Sequence, residues 1–148
     1  MAKEKTNAML RNCVCLAALA VLLASPAIAS EWVKIGEGKD GRLWFVDKAS
    51  IIREGDVVRA WGRVELTQPN PYPPTGEIVS VATFLEVIDC SKAIIGVKAS
   101  KLFAANEYVI AENEYPDDMI QWQSAASSSF LAGVVSFVCS PDTDPEPR

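Results

Sequence analysis

Between Val58 and Leu66 the chain alternates without a break: Val58, Ala60, Gly62, Val64 and Leu66 fall on one side, and Arg59, Trp61, Arg63 and Glu65 on the other. Period-two alternation of this kind builds a strand with one dry and one wet face, the pattern of an antiparallel sheet covered on one side. The cover has one candidate. Residues 124–139 are serine-led and apolar, with Phe130, Val134, Phe137 and Val138 at helical spacing, Leu131 and Val135 widening the stripe, and Ser128, Ser129 and Ser136 opposite. This predicts a short closing helix capped by Ser124 or Ser127. A final strand is the alternative, because Val134, Val135 and Val138 are only moderate helix formers. Ala60 and Gly62 are small where the dry face should be fullest, which predicts a close backbone approach there, with the helix as the candidate through Gly133.

The helical segment ends in Cys139, and whether that cysteine pairs depends on compartment. Lys3, Lys5 and Arg11 precede an apolar run over residues 13–24, and Ser25-Pro26-Ala27-Ile28-Ala29 then offers small residues at the two positions a signal peptidase reads. The expectation is a secretory signal over residues 1–29, cut between Ala29 and Ser30. An apolar run of about a dozen residues is well short of the roughly 20 that span a bilayer, so the mature chain is expected to have no transmembrane segment. Cys13 and Cys15 lie in that run without a lipoprotein lead-in. Removing 29 of the 148 residues leaves 119, enough for one modest core over residues 30–140. Four cysteines become two, and in an exported chain Cys90 and Cys139 read as a disulfide. That bond would staple the helix to the end of the longest β-patterned run. Residues 141–148 hold three prolines and no apolar side chain, which predicts a disordered acidic tail.

The rest of the mature chain reads as strands and turns. Trp32, Val33 and Ile35 start a first strand, Gly38-Lys39-Asp40-Gly41 a hairpin, and residues 43–46 a second strand closed by a turn over residues 47–50. Glu54-Gly55-Asp56 is a further hairpin. Residues 67–76 contain Pro69, Pro71, Pro73 and Pro74 and are expected to form a long loop outside the sheet, with Tyr72 at its centre as a contact residue. Residues 77–90 are apolar on both faces. With Cys90 turned toward the helix, Ile78, Ala82, Phe84 and Ile88 form the core set. Val79, Val81, Leu85 and Val87 then need a cover, either a loop or a partner chain in a homodimer, unless a bulge switches the faces midway. Ile95, Val97 and Ala99 alternate in the next strand, Tyr108 and Ile110 mark a shorter one, and residues 112–118 form an acidic loop.

Little in this inventory carries chemistry. There is no histidine, which removes Ser-His and Cys-His nucleophiles and imidazole metal sites. The glycines at 36, 38 and 41 sit between strands and not before a helix, so they form no phosphate loop. The acidic loop has neither the spacing nor the glycine of an EF-hand. No metal, cofactor or catalytic residue is expected, and the chain reads as a non-enzyme. Losing Lys3, Lys5, Arg11 and Glu4 with the signal takes 14 basic and 19 acidic residues to 11 and 18, and the net charge from −5 to −7. Such a balance disfavours nucleic acid and anionic membranes as partners. On the wet face, Trp61 between Arg59 and Arg63 makes an amphipathic platform for a binding surface, unless cross-strand neighbours cover the indole.

In order, the chain shows W-V-K-I at residues 32–35, F-V-D-x-x-S-I at 45–51, G-D-V-V-R-A-W at 55–61, D-C at 89–90, a late Trp122, and a serine-led segment ending in Val138-Cys139. In these it resembles the surface-adhesin protein E family of exported Gram-negative bacterial proteins. The resemblance implies a mostly β, α+β fold: a curved antiparallel sheet of about six strands with a C-terminal helix tethered to one face by a disulfide. It also implies adhesion to host extracellular proteins from the outer membrane or cell surface. The alternatives are a periplasmic structural or small-ligand-binding protein, dimeric through the strand over residues 77–90, and, third, a carboxylate-based enzyme. The proline-rich loop, the extra serines and the acidic tail depart from the family pattern.

Overall fold

A computed structural model of the protein describes residues 29–143. The expected signal segment up to Ile28, and the tail from residue 144, lie outside the described residues. Six strands follow one another as an antiparallel meander: β1 (Trp32–Glu37), β2 (Leu43–Glu54), β3 (Val57–Pro71), β4 (Ile78–Asp89), β5 (Ile94–Phe103) and β6 (Val109–Glu114). The two-residue strand β7 (Gln123–Ser124) pairs with β5 beside Ile94 and Ile95. The helix α1 (Ser129–Val138) closes one face. The sheet-plus-helix architecture expected from patterning is the one observed.

The alternation over residues 58–66 holds. Val58, Ala60, Gly62 and Val64 face inward opposite Ile88, Glu86, Phe84 and Ala82 of β4. Val58 and Ala60, with Val46, Ile51, Ile88 and Ile95, meet Val134, Val135 and Val138 of α1 in one core. The N-terminal part of the helix lies over β1 and β2, where the Phe130 and Trp44 rings are 3.5 Å apart between centroids. At its other end Cys139 is bonded to Cys90, with the two Cα atoms 5.7 Å apart. Arg53 Nη2 donates to the carbonyls of Val138 and Ser140, at 3.1 and 3.3 Å, and so ties β2 to the end of the helix.

Several expectations are corrected. The turn expected over residues 47–50 is a bulge within a continuous β2, which gains three residues on β3 between Asp47 and Ile52. Its own side chains supply the missing hydrogen bonds. Asp47 Oδ1 accepts from Glu31 N at 2.7 Å and Ala49 N at 3.1 Å, while Ser50 Oγ accepts from Trp61 N at 2.8 Å. The proline stretch does enter the sheet: after a bulge between Glu65 and Asn70, Asn70 and Pro71 pair with Val79 and Ile78. That end of β3 runs past the pairing with β2, which stops at Glu65, so a proline there removes no ladder donor on that side. The loop itself shrinks to the turn after Tyr72, where Thr75 N and Gly76 N donate to Tyr72 O.

The helix cap is Ser128, whose Oγ accepts from Leu131 N at 3.1 Å; Ser124 caps a separate 3-10 turn over Ala125–Ser127. Finally, Gly62 makes room for the Glu86 carboxyl and not for the helix. A Cβ at Gly62 would stand 2.9 Å from Glu86 Oε1, whereas one at Gly133 would meet Ile35 of β1 at 3.3 Å. The even-numbered set of β4 is inward from Ala82 to Ile88, but at the start of the strand the expectation fails: Ile78 is exposed, whereas Val79 is buried and lines a hollow with Ala82 and Phe84. The irregularity between β4 and β5 lies on β5, where Lys98 is the extra residue. From there the alternation of Ile95 and Val97 breaks, so that Ala99 pairs with Leu85 and Ser100 turns inward opposite Phe84.

Candidate functional site

The face of the sheet away from α1 carries three of the four expected contact residues. Arg59 is exposed and ion-paired to Glu54 at 2.8 Å. Trp61 is half-buried between Asp47 and Leu85 on the neighbouring strands. Arg63 leans away from it: its guanidinium pairs with Glu65 at 2.9 Å and stands 6.0 Å from the ring centroid of Trp32. The cation–aromatic pair therefore forms with Trp32 of β1. Tyr72 is on the other side of the sheet. It lines a hollow of about 310 Å³ with the inward residues Val64, Ala82, Phe84 and Leu102, so the four residues do not make one surface.

The chain between β6 and β7 extends the outer face instead. Lys98, the bulged residue of β5, accepts from Tyr115 N through its carbonyl at 2.7 Å and pairs through its ammonium with Asp117. Gly96, which pairs with Val87, leaves room for this segment, since a Cβ there would collide with Ile120 and come within 3.5 Å of Trp122. Part of the odd-numbered β4 face thus has a loop as its cover. The Asp117 carboxyl is held below its usual range by its hydrogen bond from Lys98, with the Arg59 charge contributing. Arg59 and this segment consequently share one region. Tyr115, Met119 and Trp122 are exposed along it, at 37, 63 and 45 %, beside exposed Glu114, Asp117 and Asp118.

On the inner side of the same edge is a cavity of about 410 Å³, lined among others by Phe84, Glu86, Ile95, Tyr115, Met119 and Leu131. Glu86 is 6 % exposed, and its Oε2 has no hydrogen-bond partner among the described residues. Burial pushes its carboxyl up from 4.5 to about 8. Three residues on, Asp89 is held down to about 2, first by the Lys92 ammonium at 2.7 Å and then by the Ser91 hydroxyl. Acid–base catalysis by paired carboxylates needs two converging groups, and Glu86 is the single acidic residue lining this cavity. Among the described residues there is no group of three or more Asp, Glu, Cys or His side chains that could hold a metal. No described helix is long and apolar enough to cross a membrane.

Glu86 was missed in the sequence although its signal was present. A carboxylate at an inward position of an apolar strand, two residues from Phe84 and from Ile88, is costly unless something accommodates it. The inward glycine of the preceding strand is that accommodation.

The family described as Surface-adhesin protein E matches over residues 32–140. Among solved structures, crystal form II of Haemophilus influenzae protein E superposes with a TM-score of 0.53 at 10 % identity, covering 78 % of this chain and 93 % of that one. Protein E from non-typeable Haemophilus influenzae gives 0.52 at 11 %, covering 80 and 81 %. At this identity the likeness is one of fold. No curated protein matches the chain.

Proposed function

Because the chain belongs to the surface-adhesin protein E family, we propose that it is an exported, non-catalytic binding protein that adheres to host extracellular proteins from the cell surface. In this reading residues 1–29 direct export and are removed after Ala29, and the oxidising environment beyond the inner membrane closes the Cys90–Cys139 bond. The observation that carries it is the exposed segment after β6: Trp122 lies against the outer face at Gly96, Asp117 is near Arg59, and Tyr115 and Met119, which also line the inner cavity, are exposed at the same edge. Large apolar side chains grouped at the surface and rimmed by charge mark protein contact sites. Glu114, Asp117 and Asp118 give this rim a negative field, so the partner surface it fits is apolar at its centre and basic around it. Half-buried Leu85 and Trp61 continue the same face.

Binding of the purified protein to immobilised extracellular-matrix proteins tests this directly. A buried aromatic anchor contributes about 2 kcal/mol or more to an interface, so Trp122→Ala is expected to weaken binding by about 30-fold. Asp118→Lys slows association and weakens its salt dependence. Binding that survives both substitutions but is lost in Trp61→Ala would move the contact onto the strand platform, and no binding to any such protein would overturn the adhesive reading.

A further inference from the structure

We infer that the cavity beneath the β5 edge binds a small monoamine with an apolar body, seating the ammonium on the Glu86 carboxylate. Glu86 Oε2 is buried without a hydrogen-bond partner among the described residues. An oxygen so placed is costly when left unpaired and favours any ligand that supplies a donor. The site is built around this side chain: its carboxyl leans over Gly62 of β3, the partner of Phe84, where a Cβ would stand within 3.1 Å of both carboxyl oxygens. The surroundings are otherwise apolar or neutral. Phe84 of β4, Ile95 and Val97 of β5, and Leu131 of α1 supply the walls, and Ser100, Gln121 and Gln123 the neutral polar groups.

The elements around Glu86 set the charge of the ligand. Apart from Glu86, the titratable group lining the cavity from β4, β5, the segment over residues 115–123 and α1 is the Tyr115 phenol; no lysine or arginine lines it. A cation therefore meets one carboxylate and no competing positive charge. A second ammonium, as in a diamine, would find no second carboxylate in the lining, which favours a monoamine. A volume of about 410 Å³ lies at the small end of ligand pockets and suits a body of about ten heavy atoms. Phe84 and Tyr115 favour an aromatic one.

The raised Glu86 carboxyl gives this binding a proton signature. The ammonium pairs with the ionised form, so below about pH 8 each binding event must release a proton, and affinity falls about tenfold per pH unit. Calorimetry of the disulfide-intact protein with 2-phenylethylamine, and with 2-phenylethanol as its uncharged counterpart, reads both quantities. At pH 8 the amine is expected to bind one-to-one and at least tenfold more tightly than the alcohol. At pH 6.5, in two buffers of different ionisation heat, close to one proton is released. Glu86→Gln should bring the amine down to the level of the alcohol. Equal affinities, absence of one-to-one amine binding, absence of proton release, or full amine affinity in Glu86→Gln would each overturn the inference. Proton release by the wild type decides the question even where the variant does not fold. Tyr115 and Met119 border both this cavity and the adhesive surface, but Trp122 does not line the cavity, so amine binding retained in Trp122→Ala separates the two.

Discussion

Replacing Cys139 with serine lowers the stability of the domain by about 4 kcal/mol and its melting temperature by about 15 °C. The bond closes a loop of 49 residues that contains the end of the meander and the whole helix. Without it the unfolded chain regains the entropy of that loop, the larger part of the effect in the chain-entropy account. The folded state suffers as well. A helix of ten residues is marginal by itself. α1 is held by its apolar stripe, by Arg53 on its last carbonyls and by the cystine at its end. Freed at that end, it exposes Val134, Val135 and Val138, and with them the inner faces of β2, β3 and β4. The serine variant should be cleaved by protease at concentrations that leave the wild type intact. Thermal melting with and without reductant measures the effect, and coincident curves would contradict it.

Glu86→Gln changes how stability responds to pH. The native carboxyl binds its proton up to about pH 8, whereas the unfolded one releases it near 4.5. Between those values the native state holds more protons, so stability falls as pH rises through the window. The loss is about 5 kcal/mol and complete above about pH 8. An isosteric amide cannot ionise, so the variant loses that slope. It should be similar to the wild type at pH 4 and the more stable of the two at pH 9. Urea unfolding of both proteins at several pH values reads the difference, and parallel pH profiles would refute the assignment. The Asp89 carboxyl acts in the opposite sense: its contribution is present above its ordinary pKa of 3.8 and is lost as pH falls toward about 2.

Much of the architecture was legible because it rests on periodicities the backbone imposes. The alternation over residues 58–66 assigned β3 and its dry face, and the stripe from Phe130 to Val138 assigned the helix that covers it. The cysteine pairing followed from compartment and count. The strand interruptions were not legible in the same way. Residues 47–50 carry turn-forming side chains, yet Asp47 and Ser50 use them to satisfy a bulge, and whether such residues turn the chain or patch a strand depends on the neighbouring strand. The prolines of β3 are tolerated because β2 ends before them, a fact of sheet geometry that no local pattern carries. The small residues at 60 and 62 announced an occupant, but at Gly62 it is the Glu86 side chain and not the backbone expected. Glu86 and the helix compete for that space, and only the register of β4 against β3, which sets Gly62 opposite Phe84 and Ala60 opposite Glu86, identifies it. The outer face was half legible. Arg59 and Trp61 lie on it as expected, but the loop carrying Trp122 reaches it through Gly96, which looks unremarkable in sequence.

An adhesin has to stand outside the cell, and limited proteolysis of intact, expressing cells, with an antibody to the domain as readout, tests this most directly. The account predicts that external protease removes the folded domain while a periplasmic marker survives. A domain that is degraded only after the outer membrane is breached would contradict it.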